Sequence, residues 1–200
     1  MQLLIIDHYD SFTWNLVNLF RSWGIDCTLL PTDAPELACT EPDNFDALLL
    51  SPGPGTPADY PGTRSFILRS GENFPILGIC LGHQFLGELA GIEITKGTPT
   101  HGKIDNVYHL GKGIFNGLNT PLPVMRYHSL LFRMGSALPN RLQPLAWTAR
   151  EELMAFRMND RPWTGLQFHP ESVGSPDGPA LLRNWLNQVH QYNNKNAVSG

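Results

Sequence analysis

The first ninety residues alternate between short apolar runs and longer amphipathic stretches. "QLLIID", residues 2 to 7, is apolar until its last position, as expected of a strand buried on both faces. "DSFTWNLVNLFRSWG" follows. Asp10 or Ser11 can cap a helix in which Phe12, Leu16, Leu19, Phe20 and Trp23 recur at helical spacing, and Gly24 can stop it. "IDCTLLP" reads as a second strand, and "FDALLLSPGPGTP" as a third that runs into a Pro/Gly loop. "GTRSFILRSG" reads as a helix, "PILGI" as a fourth strand and "GHQFLGELAG" as another helix. This order predicts an α/β fold: a doubly wound, mixed but mainly parallel sheet with flanking helices. At 200 residues the chain can close one full core.

From about Ile92 the pattern changes. "IEITKG", "GKIDNVYHLG", "LPVMRYHSLLF", "RLQPLAWTAR", "LMAFRMND" and "WTGLQFHPES" are strand-like runs separated by turns, which predict hairpins joined to the same sheet. "GPALLRNWLNQVHQY" then predicts a C-terminal helix with Leu181, Leu182, Trp185, Leu186 and Val189 on one face. Residues 1–190 are expected to form a single domain. The polar run 191–200 is expected to be a flexible tail.

Several function classes drop out. Net charge is −4 and basic residues are scattered, which argues against nucleic-acid binding. The N-terminus lacks a basic n-region, and no apolar stretch reaches membrane-spanning length. Three cysteines, Cys27, Cys39 and Cys80, form no C-x-x-C pair, so neither a disulfide framework nor a zinc site is expected. A reducing, cytoplasmic setting fits best.

Three motifs end strands, where open α/β sheets bind ligands. In "SPGPGTP", Gly53 and Gly55 allow backbone N–H groups close approach to a ligand, although Pro/Gly loops are also plain connectors. In "GICLG", Cys80 stands between Gly78 and Gly82, after a strand and before a helix. That is the thiol form of a nucleophile elbow, with the sulfur at a helix N-terminus and the Leu81 N–H placed for an oxyanion. A lone buried cysteine is usually a small core residue, but the glycine frame reverses that expectation. In "LQFHPES", His169 and Glu171 are two apart at the end of a strand-like run and can share a face. Cys80, His169 and Glu171 thus supply a nucleophile, a base and an orienting acceptor. Gln84 can bind a polar substrate or face solvent. His128, in "RYHSL", is a competing base. His8, His101, His109 and His190 show no metal-ligand spacing and read as structural or solvated.

"DHYDSFTWNL", "SPGPGTP", "LGICLGHQ", "HGK", "RYHSL" and "GLQFHPES", in this order, resemble the class I (triad-type) glutamine amidotransferases. Within that family the chain is similar to the glutaminase subunits of anthranilate synthase and aminodeoxychorismate synthase. The resemblance implies a flavodoxin-like fold and hydrolysis of L-glutamine by Cys80 through a glutamyl thioester. It implies glutamine contacts at Gly53, Pro54, Gly55, Gln84, Ser129 and Leu130, and an oxyanion hole from the Leu81 and Gly53 N–H groups. It implies a partner: component I of anthranilate synthase or of aminodeoxychorismate synthase, which aminates chorismate and holds the Mg²⁺. No cofactor is expected in this chain. Thr100 to Asp105 falls on the partner-facing side. His8 departs from the Asn usual in the family, and Ile104 and Asp105 from a Thr-Ser pair; these departures bear on partner identity.

Other readings keep the motifs. The triad serves other acceptors in relatives that make GMP, carbamoyl phosphate or imidazole glycerol phosphate. A stand-alone γ-glutamyl hydrolase is another option. A non-catalytic module with the same fold would have no reason to keep all three triad groups.

Overall fold

The computed structural model describes residues 1–135 and 138–199, with the backbone alone for 196–199. The expected alternation is present. β1 (Gln2–Asp7), α1 (Thr13–Ser22), β2 (Asp26–Pro31), α2 (Pro35–Cys39), β3 (Ala47–Leu50), α3 (Pro61–Arg69), β4 (Ile76–Ile79) and α4 (Leu81–Leu89) build the first half. β5 (Thr95–Lys96), β6 (Lys103–His109), β7 (Leu122–Arg126), β8 (Leu130–Arg133), β9 (Leu142–Thr148), β10 (Glu152–Met158), β11 (Trp163–Leu166) and α5 (Gly178–Ser199) complete it.

The main sheet runs in the order β2-β1-β3-β4-β11-β10-β9-β6-β7. From β2 to β11 every neighbour is parallel, and from β11 onward each pair is antiparallel. The sheet is therefore mixed, with its parallel half built mostly from the first ninety residues. Strand order reverses at β1, whose neighbours are β2 on one side and β3 on the other. The last strand, β11, enters beside β4 in register, Gly165 opposite Gly78 and Leu166 opposite Ile79. The far edge curls back, so that Met125 of β7 bridges His169 just past β11.

Burial follows the two-residue period of strands. Leu3 and Ile5, Leu49, Leu77 and Ile79 pack under Leu16, Val17 and Phe20 of α1 and Leu181, Leu182 and Trp185 of α5. Leu4 and Ile6, Leu48 and Leu50 face the other way, onto Phe66 and Ile67 of α3 and Phe85 and Leu86 of α4. Each fully buried aliphatic or Phe side chain of this kind contributes about 1.5–3 kcal/mol. Both faces of the parallel half are covered, which leaves its strand ends as the places where ligands can reach the backbone.

One expectation needs correction. Neither Asp10 nor Ser11 caps α1: Phe12 holds that position, and the Asp10 carboxylate instead accepts the Phe12 N–H at 2.8 Å in a turn just ahead of the helix. α5 continues through Ser199, and past its middle the Tyr192 hydroxyl bonds the Asn73 side chain and the Asn193 amide bonds the Asp46 carbonyl. Gly200 lies outside the described residues. Among the described residues no helix is long and apolar enough to cross a membrane.

Candidate active site

The carboxyl ends of β3, β4 and β11 lie along one edge and hold all three motifs. At the end of β4 the chain turns into α4 through Cys80, whose φ of +52° is left-handed and unfavourable for a side-chain-bearing residue. The flanking glycines make the turn possible. A Cβ at Gly78 would sit inside the Gly82 carbonyl, and one at Gly82 would lie 2.6 Å from the Leu50 carbonyl oxygen. The turn is held by the Cys80 N–H, which donates to the Leu166 carbonyl of β11 at 2.7 Å. Leu81 opens α4, so its N–H has no helical carbonyl behind it and is free for another acceptor.

His169 and Glu171 follow β11. The His169 N–H donates to the Met125 carbonyl at 3.0 Å, which fixes the backbone beside the curled sheet edge. His169 Nδ1 donates to Glu171 Oε1 at 2.6 Å, and both side chains are closed off from solvent. That bond leaves Nε2 turned to Cys80. Nε2 is buried without a hydrogen bond of ordinary geometry, yet it lies near enough to feel the sulfur. Burial lowers the imidazole pKa, but hydrogen bonding and charge from Cys80 and Glu171 outweigh it and raise it to about 10. The three residues singled out from sequence come together, with the His169 ring between the Cys80 sulfur and the Glu171 carboxylate.

His128 is brought close but is not a free base. Its Nδ1 donates to the Leu130 carbonyl at 3.0 Å, and its Nε2 accepts from Arg126 Nε at 3.1 Å. Burial and the Arg126 charge push its pKa down to about 4. The ring is neutral with both nitrogens committed. Arg126 is itself fully buried and paired with Glu152 at 2.7 Å and Asp105 at 2.5 Å. Asp105, a departure from the family pattern, is therefore tied through Arg126 to the wall of the site.

A cleft of ≈ 160 Å³ lies over Cys80, lined by Gly53, Pro54, Gly55, Gln84, Ser129 and Leu130 together with Tyr127 and His128. Of the positions expected to contact substrate, these six line it, and Leu81, expected to offer its N–H, does not. Gln84 is oriented by its Nε2, which donates to the Leu130 carbonyl at 3.3 Å. Tyr127 was not singled out from sequence; its ring packs edge-on to His169 and stacks on Phe12. The Pro/Gly loop is braced from below. A Cβ at Gly53 would strike His8, and the Ser51 hydroxyl, which accepts the His8 N–H at 2.9 Å, donates to the Pro52 carbonyl at 2.6 Å. Burial holds His8 neutral, with its pKa down at about 4. The Tyr60 hydroxyl bonds the Pro54 carbonyl at 2.9 Å. His8 is structural, as its lack of ligand spacing suggested, and what it supports is the substrate loop.

A larger hollow of ≈ 300 Å³ between Trp163, Trp185 and Arg161 lies at the opposite ends of β4 and β11. No cysteine, serine or histidine lines it. Among the described residues no group of three or more His, Cys, Asp or Glu is placed to hold a metal ion.

Residues 4–189 match the family model described as Glutamine amidotransferase class-I. Anthranilate synthase component 2 of Pseudomonas putida is 39% identical over 195 residues, covering 94% of this chain and 98% of its own. Aminodeoxychorismate synthase component 2 of Serratia marcescens is 41% identical over 191 residues, covering 93% and 100%. Among solved structures, a Thermoplasma acidophilum protein provisionally described as a GMP synthase subunit has a TM-score of 0.86 at 25% identity, covering 98% of each chain.

Proposed function

The chain belongs to the class I glutamine amidotransferases, and on that premise we propose that it hydrolyses L-glutamine and passes the ammonia to a separate synthase subunit that aminates chorismate. The observation that carries the reading is the Cys80–His169–Glu171 constellation beneath a small polar cleft. The names of the full-length relatives supply the acceptor. The structural likeness to a GMP synthase protein raises a different acceptor, but at lower identity than the two chorismate enzymes' components.

The geometry supports the following steps. The glutamine carboxamide lies over Cys80, with its carbonyl oxygen toward the Leu81 and Gly53 N–H groups and its amino-acid end toward Gln84, Ser129 and Leu130. His169, kept protonated near neutral pH by its raised pKa, carries the proton on Nε2 as the Cys80 sulfur bonds to the amide carbon. The C–N bond breaks as His169 gives the proton to the departing ammonia. Water then gives a proton to His169 and attacks the thioester carbon. The C–S bond breaks and glutamate leaves. Glu171 holds the ring so that Nε2 faces the sulfur and steadies the imidazolium in both halves.

Component I of anthranilate synthase or of aminodeoxychorismate synthase is the partner, and the Mg²⁺ belongs to it; the setting is the cytoplasm. The rim of the cleft suits such docking. Val173, two residues past Glu171, is fully exposed, and Ile104 is 62% exposed. Ile104 packs close to Gly174, so the two form one apolar patch within the segment Thr100 to Asp105 and its neighbour. The test is to titrate the purified chain, in the presence of chorismate, with each candidate component I, following glutamate release and identifying the aminated product by fluorescence. Turnover is expected to rise by up to about 100- to 1000-fold, the worth of one oxyanion donor. Cys80→Ser should abolish glutamine-dependent amination and leave ammonia-dependent amination. A high turnover that stays flat across both titrations would instead make the chain a stand-alone hydrolase.

A further inference from the structure

Behind the nucleophile lies a buried polar chain that the triad does not use. Gln167 and His83 are both fully buried. Gln167 lies between β11 and His169, and its Nε2 is 3.7 Å from Cys80 Sγ, within hydrogen-bonding range for sulfur. Its Oε1 is buried without a hydrogen bond of ordinary geometry, and so are both ring nitrogens of His83. Buried polar groups are rarely left so, and here they are neighbours. His83 stands one helical turn after Cys80, on the same face of α4. Phe132 and Phe156 pack on its ring, and Gly165 is bare because a Cβ there would lie 2.8 Å from His83 Cδ2.

A carboxamide can present either end to the sulfur. The amino end stabilises a thiolate; the oxygen end opposes it. His83 decides between them. Burial and the nearby His128 hold its pKa down at about 3, with Gln167 pulling the other way, so the ring is neutral and carries one N–H. An orphaned N–H buried among phenyl rings is worse than an orphaned bare nitrogen. The N–H therefore goes to Gln167 and the bare nitrogen to the rings.

We propose that Gln167 is a further catalytic residue, donating its amide N–H to the Cys80 sulfur, and that His83 is the positioning residue that fixes this sense by donating to Gln167 Oε1. The inference rests on the glutaminase reading for its kinetic consequence. The sulfur then takes a donor from Gln167 on one side and from His169 on the other, in a chain whose bonds reinforce each other. Gln167 acts whenever the sulfur carries charge: before attack and again as the thioester breaks. It does not touch the bound amino acid, so it should move kcat and not KM.

The experiment follows the pH dependence of Cys80 alkylation by iodoacetamide, with Cys27 and Cys39 replaced by serine, alongside glutaminase kinetics in the complex. Gln167→Leu should raise the alkylation midpoint by about one pH unit and lower kcat about tenfold, with the glutamine KM little changed. His83→Phe should shift both in the same direction by less, His83→Asn should recover part of the loss, and the double variant should be no worse than Gln167→Leu alone. An unmoved midpoint in Gln167→Leu, or a loss confined to KM, would overturn the proposal. The midpoint needs no glutamine turnover, so it stays readable even if the glutaminase reading fails. Should the variants not fold, the ¹⁵N resonances of His83 in the unaltered protein decide. A neutral ring with a slowly exchanging N–H is expected, and a ring proton exchanging as fast as that of an exposed imidazole overturns the assignment.

Discussion

Arg126 donates its Nε–H to His128 Nε2 at 3.1 Å, and that one bond separates the two histidines at the cleft into different roles. A ring whose lone pair is taken by a buried guanidinium cannot accept a proton from a thiol. His169 keeps its Nε2 toward the sulfur because Glu171 takes the other nitrogen.

The first prediction follows. His169→Ala should lower the turnover of glutamine hydrolysis in the complex by about 1000-fold or more, and Glu171→Ala by less, because orientation is a smaller contribution than proton transfer. His128→Ala should cost about tenfold or less by the same assay, through a reshaped cleft wall. Equal losses for His128→Ala and His169→Ala would mean that the base is misassigned.

The second concerns pH. The folded-state pKa of His169 is raised to about 10, above the ordinary value of 6.5. The protonated ring therefore stabilises the fold fully below pH 6.5, and this contribution fades as pH climbs toward 10. Comparing urea unfolding of the parent chain and His169→Asn at several pH values checks this. The parent's advantage should be largest at and below about pH 6 and nearly gone by about pH 10. A gap that widened with alkalinity would mean that the folded protein favours the neutral ring.

The third concerns the turn beneath the nucleophile. Gly78→Ala forces a methyl into the Gly82 carbonyl, where only backbone can yield. A cost of about 3 kcal/mol is expected, at the upper end for overpacking, together with loss of glutaminase activity. Thermal unfolding measures it. A variant as stable and as active as the parent would mean that the elbow tolerates far more room than its contacts suggest.

The triad was legible because each member announces itself locally. Glycines two residues either side of Cys80 have one good physical reason, and a His two residues before a Glu at a strand end shares its face. The parallel half of the sheet was legible for a similar reason: its strands are apolar runs with helices between them. Gln167 and His83 were not. A glutamine in a strand-like run and a histidine inside a helix look ordinary until β11 pairs with β4 and brings both to the back of the sulfur. The same holds for the curl that carries Met125 to His169, since hairpin order beyond β5 leaves no local mark. The start of α1 was misjudged because Asp10 bonds the backbone ahead of the helix instead of inside it. The end of α5 is not legible, because "QYNNKN" has no apolar stripe; polar side chains there reach Asn73 and Asp46.

A chain leaving the ribosome displays Cys80 long before it has His169. β11 is the last strand to be made, yet its place is interior, between β4 and β10. Until it is seated, the Cys80 N–H lacks the Leu166 carbonyl and the sulfur lacks His169 and Gln167. The turn at Cys80 then keeps the Gln84 N–H bond to its carbonyl but loses the bond from its own N–H. A chain that stops short of β11 therefore lacks both side chains that reach the Cys80 sulfur. The surroundings of Cys80 are thus completed only by the closing insertion of the sheet.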